Sequence, residues 1–384
     1  MSAQPKIMPA PAATLPMKPL IAALTNACKV IERKETIPVL TAARITATGG
    51  GVSVVATDLD MITSTFVPGA VDPDFEVLAP AHTLLDILKK SDPETPVRME
   101  PGDKAIHVAI GDLTLTLNAA GELKDFPKTE AFQSNLEKTN CRFTLPADTF
   151  RDALERVKIA ISTEATRYYL NGVLFQAVND NFVIVATDGH RLVRVRLDLP
   201  EAAGALPDII APRAFIHEVL RHLKAKNCPD HVDIAATDSG VSISIGPDVV
   251  IESKVVDGSF PDYARCIPQA GSMSITVDRK DALSAVKKVT VITSERGRAV
   301  KLGATDGKLV FETRHPETGT AAVTIDAAND GPPREIGFNA RYLTDALGTM
   351  TGDACLHFEN EHEPCLMADR AASNVDYVLM PLQL

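Results

Sequence analysis

The sequence predicts an α+β fold built three times over, and three observations carry that prediction. Landmarks recur with a period near 130 residues, each period opens on a stretch with helical apolar spacing, and alternating apolar–polar runs fill the rest. The first landmark is strand-like. Val54-Val55-Ala56-Thr57-Asp58 returns as Ile184-Val185-Ala186-Thr187-Asp188 and more weakly as Val310-Phe311-Glu312-Thr313, its threonines 130 and 126 residues apart. The second opens a helical stretch: Leu78-Ala79-Pro80, Ile210-Ala211-Pro212 and Gly337-Phe338-Asn339, spaced by 132 and 127. The third, Phe126-Pro127 against Phe260-Pro261, is spaced by 134. One match is easily accidental; three markers agreeing on one period are not.

Taken in order, residues 1–16 are rich in Pro and Ala and read as a flexible arm. Three domains follow, at 17–139, 140–269 and 270–384. Helical stretches are expected at 17–34, 82–90, 149–167, 213–226, 279–298 and 340–350, two per domain. Leu154, Val157 and Ile161, and Leu283, Val286 and Val289, have the spacing that buries one helix face. Runs such as VRMEPGDKAIHVAIGDLTLTLNA and VDIAATDSGVSISIG alternate with period two between Gly, Asp and Pro, which predicts antiparallel hairpins.

Composition narrows the class. The chain has 384 residues, 45% hydrophobic and 23% charged, which excludes a disordered or collagen-like chain. Its six cysteines are scattered without a C-x-x-C pair, and no apolar run approaches the roughly 18 residues of a membrane span. A soluble cytoplasmic protein with reduced thiols is expected. The net charge of −11 repels nucleic acid on average. The six helical stretches, however, carry 21 Lys and Arg against 9 Asp and Glu. Lys and Arg are good helix formers, but so is Glu, which is not enriched there. Basic helices in an acidic protein suit a surface facing a phosphate backbone without reading sequence.

Catalytic patterns fail on geometry. His217-Glu218-Val219-Leu220-Arg221-His222 resembles a zinc-protease helix, but its histidines are i and i+5, about 140° apart on the helix. His357, His362, Glu361 and Glu363 read as a solvated hairpin loop. No phosphate-binding loop, dinucleotide motif or nucleophile elbow is present. Thr187-Asp188 recurs as Thr57-Asp58 without the neighbouring His, so it reads as a structural strand end whose Asp accepts turn N–H bonds. What is unique to the middle copy is Gly189-His190-Arg191-Leu192, a candidate binding site. Neither a cofactor nor a metal is expected.

At this point the residues match a family. RYYLNG (167–172), VATDGHRL (185–192), DGSFPDY (257–263), EIGFN (335–339) and YVLMPLQL (377–384), with TIPVL (36–40) and ATDLDM (56–61), resemble the bacterial DNA sliding clamp, the beta subunit of DNA polymerase III. The resemblance implies three repeated DNA-clamp domains, each with two helices packed on antiparallel sheets. It implies a homodimer closed head to tail as a ring on double-stranded DNA, a processivity factor rather than an enzyme. Its implied partners are duplex DNA, polymerase subunits and the clamp loader, the last two through short peptide motifs, with no membrane involved.

Carried over by motif, the partner-peptide site comprises Leu170, Thr187, Gly189, His190, Arg191, Leu192, Pro261, Arg265, Cys266, Tyr342, Pro364, Val378, Leu379, Met380, Pro381 and Leu382. An exposed VLMPL tail fits such a site, since Met adapts to varied ligands and Pro381 suits a surface edge. DNA contacts fall to Arg33, Lys34, Arg167, Tyr168, Tyr169 and Arg213. The dimer interface falls to Leu115 and Leu117 on a first-domain edge strand and to Val291 and Ile292 at a last-domain helix end. Gly297, Gln383 and Glu164 depart from the family pattern. The alternative reading is a clamp-fold paralogue serving a dedicated repair or translesion polymerase. A hydrolase using His190 or His217 is a distant third.

Overall fold

The computed structural model describes residues 10–139, 141–269, 274–293, 299–305, 307–330 and 333–383. Gly297 lies outside them, as do residues 1–9 of the expected arm. One basic order, a strand, a helix, a set of strands, a second helix and three strands, appears three times. The first repeat runs β1 (Ala12–Leu15), α1 (Met17–Val30), β2 (Ala43–Thr48), β3 (Gly51–Thr57), β4 (Met61–Pro68), β5 (Ala70–Asp72) and β6 (Phe75–Ala79). It continues through α2 (Ala81–Leu88), β7 (Val97–Gly102), β8 (Ala105–Ile110) and β9 (Leu113–Asn118), and α3 (Glu130–Glu137) follows. The second comprises β10 (Arg142–Pro146), α4 (Ala147–Val157), β11 (Gly172–Val178), β12 (Asn181–Thr187), β13 (Arg191–Asp198) and β14 (Ile209–Pro212). It ends with α5 (Arg213–Leu223), β15 (His231–Thr237), β16 (Gly240–Ile245) and β17 (Val249–Lys254). The third comprises β18 (Ser274–Val277), α6 (Arg279–Val289), β19 (Ala299–Thr305), β20 (Lys308–His315), β21 (Gly319–Asp326), β22 (Ala328–Asp330) and β23 (Arg334–Asn339). It closes with α7 (Ala340–Thr349), β24 (Ala354–His357), β25 (Cys365–Asp369) and β26 (Ala372–Leu379).

Each repeat therefore begins with a strand, where the sequence reading began with a helix. Ala12–Leu15, expected within the flexible arm, is one of these strands; it pairs with both β5 and β7, and Ala13 and Leu15 are buried. Apolar side chains at alternate positions hold it in the sheet. The helices also end earlier than expected. The stretch 149–167 stops at Val157 and 279–298 stops at Val289, each followed by a 3-10 turn. Helix starts are locally encoded: Asp278 accepts from the backbone N–H of Lys280 and Asp281, and Asn339 from that of Arg341.

The chain forms two compact units, one of Met1–Ala147 with His217–Lys254 and one of Asp148–Ile216 with Val255–Leu384. In the first, an eight-stranded sheet runs β10-β15-β16-β17-β4-β3-β2-β6 and a five-stranded sheet β5-β1-β7-β8-β9. Helices α1 and α2 bury Leu20, Leu24, Leu84 and Leu88 against Ile45, Val54 and Ile106. Burying each leucine contributes roughly 1.5–3 kcal/mol. Arg221 donates to Glu218 and to Asn26 Oδ1 (2.8 Å), and His222 Nε2 stands 3.3 Å from Glu218. The HEVLRH segment is thus an ion-pair network. Burial there opposes ionisation of Glu218, but the Arg221 and His222 contacts outweigh it and hold the carboxyl down at about 2.

In the second unit, a nine-stranded sheet runs β14-β11-β12-β13-β26-β25-β24-β18-β22 and a four-stranded sheet β21-β20-β19-β23. Strand registers define which positions of the repeats correspond. Ile45 faces Val54 and Val77, Phe175 faces Ile184 and Ile209, and Leu302 faces Phe311 and Ile336. Val54, Ile184 and Phe311 are therefore equivalent. Thr313 matches Ala186 rather than Thr187, one residue from the alignment drawn on the threonines, because the face that packs under the helices sets the phase.

Candidate functional site

The outer face of the nine-stranded sheet carries a second apolar cluster, apart from the helix-covered core. Leu174, Val183, Val185, Leu192, Ile210, Leu366 and Val378 form its floor, one side chain per alternate strand position. Register aligns Leu192 with Val378 and Val378 with Leu366, so the floor crosses from the second repeat into the third. The segment after β17 lies on it through Val256, Phe260, Tyr263 and Ile267. Phe260 and Tyr263 meet edge to face at 6.3 Å, and the Tyr263 hydroxyl donates to Gln176 Oε1 at 3.1 Å. Arg194 and Asp376 pair across β13 and β26 at 2.6 Å and give the patch a polar border.

A tight turn closes one end. Asp188 Oδ1 accepts from the backbone N–H of His190 (2.9 Å) and Arg191 (3.0 Å), and Thr187 Oγ1 donates to the Arg191 carbonyl (2.7 Å). Gly189 sits at φ +88, a left-handed conformation that suits glycine. The first repeat builds the same turn, with Asp58 Oδ1 accepting from Asp60 and Met61, so Thr-Asp is structural in both. Unique to the second repeat is what the turn presents. Arg191 reaches Asp188 (3.0 Å) and Asp345 (2.7 Å) and lies 4.3 Å over the Tyr342 ring, against which His190 also stacks. Burial pushes the Tyr342 phenol up.

The C-terminal segment completes the arrangement and corrects an expectation. Val378 and Leu379 do not belong to an exposed edge; they are buried in β26, a central strand between β13 and β25. Only residues 380–383 leave the sheet. The Met380 N–H donates to the His190 carbonyl (2.9 Å) and the Leu382 N–H to that of Gly337 (2.8 Å), leaving the two side chains 41% and 40% exposed. Beside them a cleft of about 480 Å³ is lined by Ile336, Gly337, Leu382 and Gln383, with Glu335, Glu361 and His362 at its rim.

The structure thus brings together Thr187, Gly189, His190, Arg191, Leu192, Tyr342, Val378, Met380 and Leu382. Leu379 lies opposite Arg191 in the ladder. Pro261, Arg265 and Cys266 are exposed on the segment whose aromatic residues cover the floor, and Arg265 pairs with Asp262 at 2.7 Å. Leu170 is buried next to Tyr169, while Pro364 and Pro381 are half-buried. Sequence reasoning missed Leu174, Val183, Val185, Ile210 and Leu366. Their signal was a second apolar face in strands such as NFVIVAT, whose alternate positions are both apolar. His357, read as a loop residue, stands in β24 with Nε2 3.2 Å from Cys355 Sγ, and burial pushes its pKa down.

The candidate DNA residues are scattered in character. Arg33 pairs with Asp86 at 2.9 Å, and Lys34 is exposed without an ion pair to any described residue. Arg167 lies 3.4 Å from Glu164, and Arg213 opens α5 with its N–H donating to the Asn171 carbonyl (2.9 Å). Tyr168 is 54% exposed, whereas Tyr169 packs against the outer apolar cluster, so only Tyr168 of the pair faces solvent freely. With observed boundaries, α1, α2, α4, α5, α6 and α7 hold 11 Lys and Arg against 7 Asp and Glu. Much of the basic excess follows the helices: Arg33, Lys34, Lys89, Lys90, Lys158, Lys224 and Lys226 lie within four residues of a helix end. Cations there complement the negative end of the helix dipole.

Leu115 and Leu117 are partly buried on β9, the edge of the five-stranded sheet, and pack on the first-repeat core. Val291 is 81% exposed, and the neighbouring Ile292 carbonyl accepts from Thr318 Oγ1 at 2.6 Å. Among the described residues, no group of three metal-ligating side chains converges and no helix is long and apolar enough to cross a membrane.

Comparison with known proteins agrees with this geometry. The chain matches the DNA polymerase III beta subunit N-terminal domain over residues 14–129, the central domain over 144–262 and the C-terminal domain over 264–383. It is 34% identical to the beta sliding clamp of Caulobacter vibrioides, covering 97% of this chain and 99% of that one. The Escherichia coli K12 beta sliding clamp is 28% identical, over 91% and 94%. Among solved structures, the DnaN sliding clamp of Bartonella birtlesii, bound to griselimycin, superposes with a TM-score of 0.91 at 33% identity, covering 97% of this chain and all of that one. The three repeats, the sheet pairings and these matches place the chain in one family: it belongs to the DNA polymerase III beta subunits, the bacterial sliding clamps.

Proposed function

We propose that two copies of the chain close head to tail into a ring around double-stranded DNA and hold the polymerase on its template, acting by topology rather than catalysis. The observation that carries this is an edge pairing left open. In the first repeat β4 pairs with β17 of the second, and in the second β13 pairs with β26 of the third. The remaining equivalents, β21 and β9, are both sheet edges. They are 8 and 6 residues long and carry one charge between them, Asp326. Bare edges with so little charge are templates for pairing with another chain. A second copy satisfies both, β21 of each on β9 of the other.

The made pairings also supply the register. Thr63 faces Ile251 and Val193 faces Tyr377. Transferred through the repeat equivalences, they set Leu115 opposite Ala321 and Thr116 opposite Thr320. Exposed Val291 and half-buried Ile292, beside the β20–β21 hairpin at Thr318, extend this interface. Directly opposed Cα atoms of an antiparallel pair lie about 4.5–5.5 Å apart, within the span of a disulfide. A Thr116→Cys, Thr320→Cys chain is therefore expected to form covalent dimers on oxidation, while either single variant does not. A dimer that resists cross-linking at this pair rejects the register. The oxidised ring, once loaded, should stay on circular DNA and leave linear DNA; equal retention on both rejects encirclement.

The outer apolar patch, the Gly189–Arg191 turn and the exposed Met380 and Leu382 side chains support docking of short apolar peptide segments of polymerase and clamp-loader subunits. Phosphate contact is assigned to cations that follow the helices. Arg33→Glu with Lys34→Glu is expected to lower DNA affinity and reduce the slope of log K against log salt by about 1–2. An unchanged slope, measured by fluorescence anisotropy, removes these two residues from the DNA surface.

A further inference from the structure

The apolar patch of the nine-stranded sheet has a counterpart at equivalent positions of the eight-stranded sheet. Val55 and Ile62 correspond to Val185 and Leu192, as the strand registers require. Leu78 and Phe126 correspond to Ile210 and Phe260. The four first-repeat residues are buried together in an apolar cluster distinct from the main core of that unit. Two equivalent positions have changed chemistry: Arg44 stands for Leu174, and Glu252 for Val378.

Helix α3 lies on this counterpart. Phe132 packs against the cluster, with its ring tip at Gly240, where a Cβ would come within 2.5 Å of it. Glu130 Oε1 accepts from Arg44 Nη1 at 2.7 Å, and Gln133 Nε2 donates to Glu252 Oε2 at 2.7 Å. The two positions that differ from the second-repeat patch are thus the two that anchor the helix. At eight residues α3 is too short to persist in water unaided, so the surface beneath holds it. It also falls between the segments matching the family's N-terminal and central domains.

We propose that α3 is a ligand in cis: the first inter-repeat junction retains the floor of a second docking patch, and α3 occupies it, so that each chain offers partner peptides one site instead of two. The class of peptide kept out rests on the reading of the second-repeat patch as a docking site; the occupancy by α3 does not.

The test uses the full chain with residues 130–137 replaced by Gly and Ser at equal length, and a synthetic peptide of residues 128–138 as probe. Calorimetry is expected to give one peptide bound per replaced chain and none per native chain. Arg44→Glu in the replaced chain should weaken the peptide at least tenfold, and a Glu130→Arg peptide should recover the loss. A folded replaced chain that ignores the peptide overturns the proposal. Should the replaced chain not fold, Phe132→Ala in the intact chain provides the reading: amide exchange across 133–137 should accelerate at least tenfold, and unchanged exchange overturns the proposal. Both assays report on the α3 surface alone. Failure of the docking reading itself would appear elsewhere, as partner binding that survives removal of residues 380–384.

Discussion

Asp369→Ala is expected to destabilise the protein by about 3–5 kcal/mol, the cost of leaving one partner of a buried ion pair alone. The Asp369 side chain is fully buried and accepts from Arg156 Nη1 (3.1 Å), the Thr351 N–H (2.8 Å) and Oγ1 (3.1 Å), the Gly352 N–H (2.9 Å) and the Ala371 N–H (3.0 Å). Arg156, on α4 of the second repeat, also donates to the Tyr377 hydroxyl at 2.9 Å, which in turn accepts from Thr349 at 3.0 Å. One carboxylate therefore ties the last turn of a second-repeat helix to two loops and a strand of the third. Removing it takes the counter-charge from a largely buried guanidinium, which keeps only neutral acceptors, and leaves three backbone donors unpaired at once. Urea titration should show a lower midpoint with an unchanged slope; a loss under 1 kcal/mol would mean that water replaces the carboxylate.

The same group has a predictable pH dependence. Burial alone would raise the Asp369 pKa, but the three backbone N–H groups and Arg156 outweigh burial and lower it. A carboxyl lowered in the folded state contributes stability above its unfolded pKa, about 3.9, and loses it as pH falls through the folded value. Wild type and Asp369→Ala should accordingly converge in stability under strongly acid conditions.

Deleting residues 380–384 is expected to weaken binding of the replicative polymerase subunit at least a hundredfold while the fold and the dimer persist. The effect is large because Met380 and Leu382 are exposed apolar side chains beside an apolar floor, the setting in which a few residues carry most of an interface's energy. Their backbone is held by His190 and Gly337, so they meet a partner already ordered. The cut must fall after Leu379. Truncation two residues earlier, after Tyr377, would remove buried Val378 and Leu379 from the centre of the sheet and confuse docking with folding. Surface plasmon resonance on the two truncations separates the cases: unchanged affinity after removal of 380–384 withdraws the tail from the site.

Much of this was legible in the chain. Helix faces and hairpins follow from local periodicity, and Asp278 and Asn339 announce their helices because a cap acts over three residues. The Thr-Asp turn was readable as structural from its repetition. The misreadings have physical causes. Cations after α1, α2, α4 and α5 look helical because they favour helix ends, so the basic stretches were drawn too long. Matching Thr313 to Thr187 ignored phase: residue type repeated, but the buried face did not. Helix α3 gave no sign of itself, since eight residues with two apolar side chains in its last six positions have little helical signature without the surface that Arg44 and Glu252 provide. Pro381 suggested an edge at a strand that the second repeat in fact covers with β13.

The sequence by itself determined the triplication, the α+β class, the helix starts and the family, because each is written in spacings within one repeat or in motifs a few residues long. Only the tertiary structure decided which strands join repeats, which edges stay open, and which of two related patches carries helix α3. Those outcomes depend on registers between residues more than a hundred positions apart, where one shift in phase turns every side chain to the opposite face.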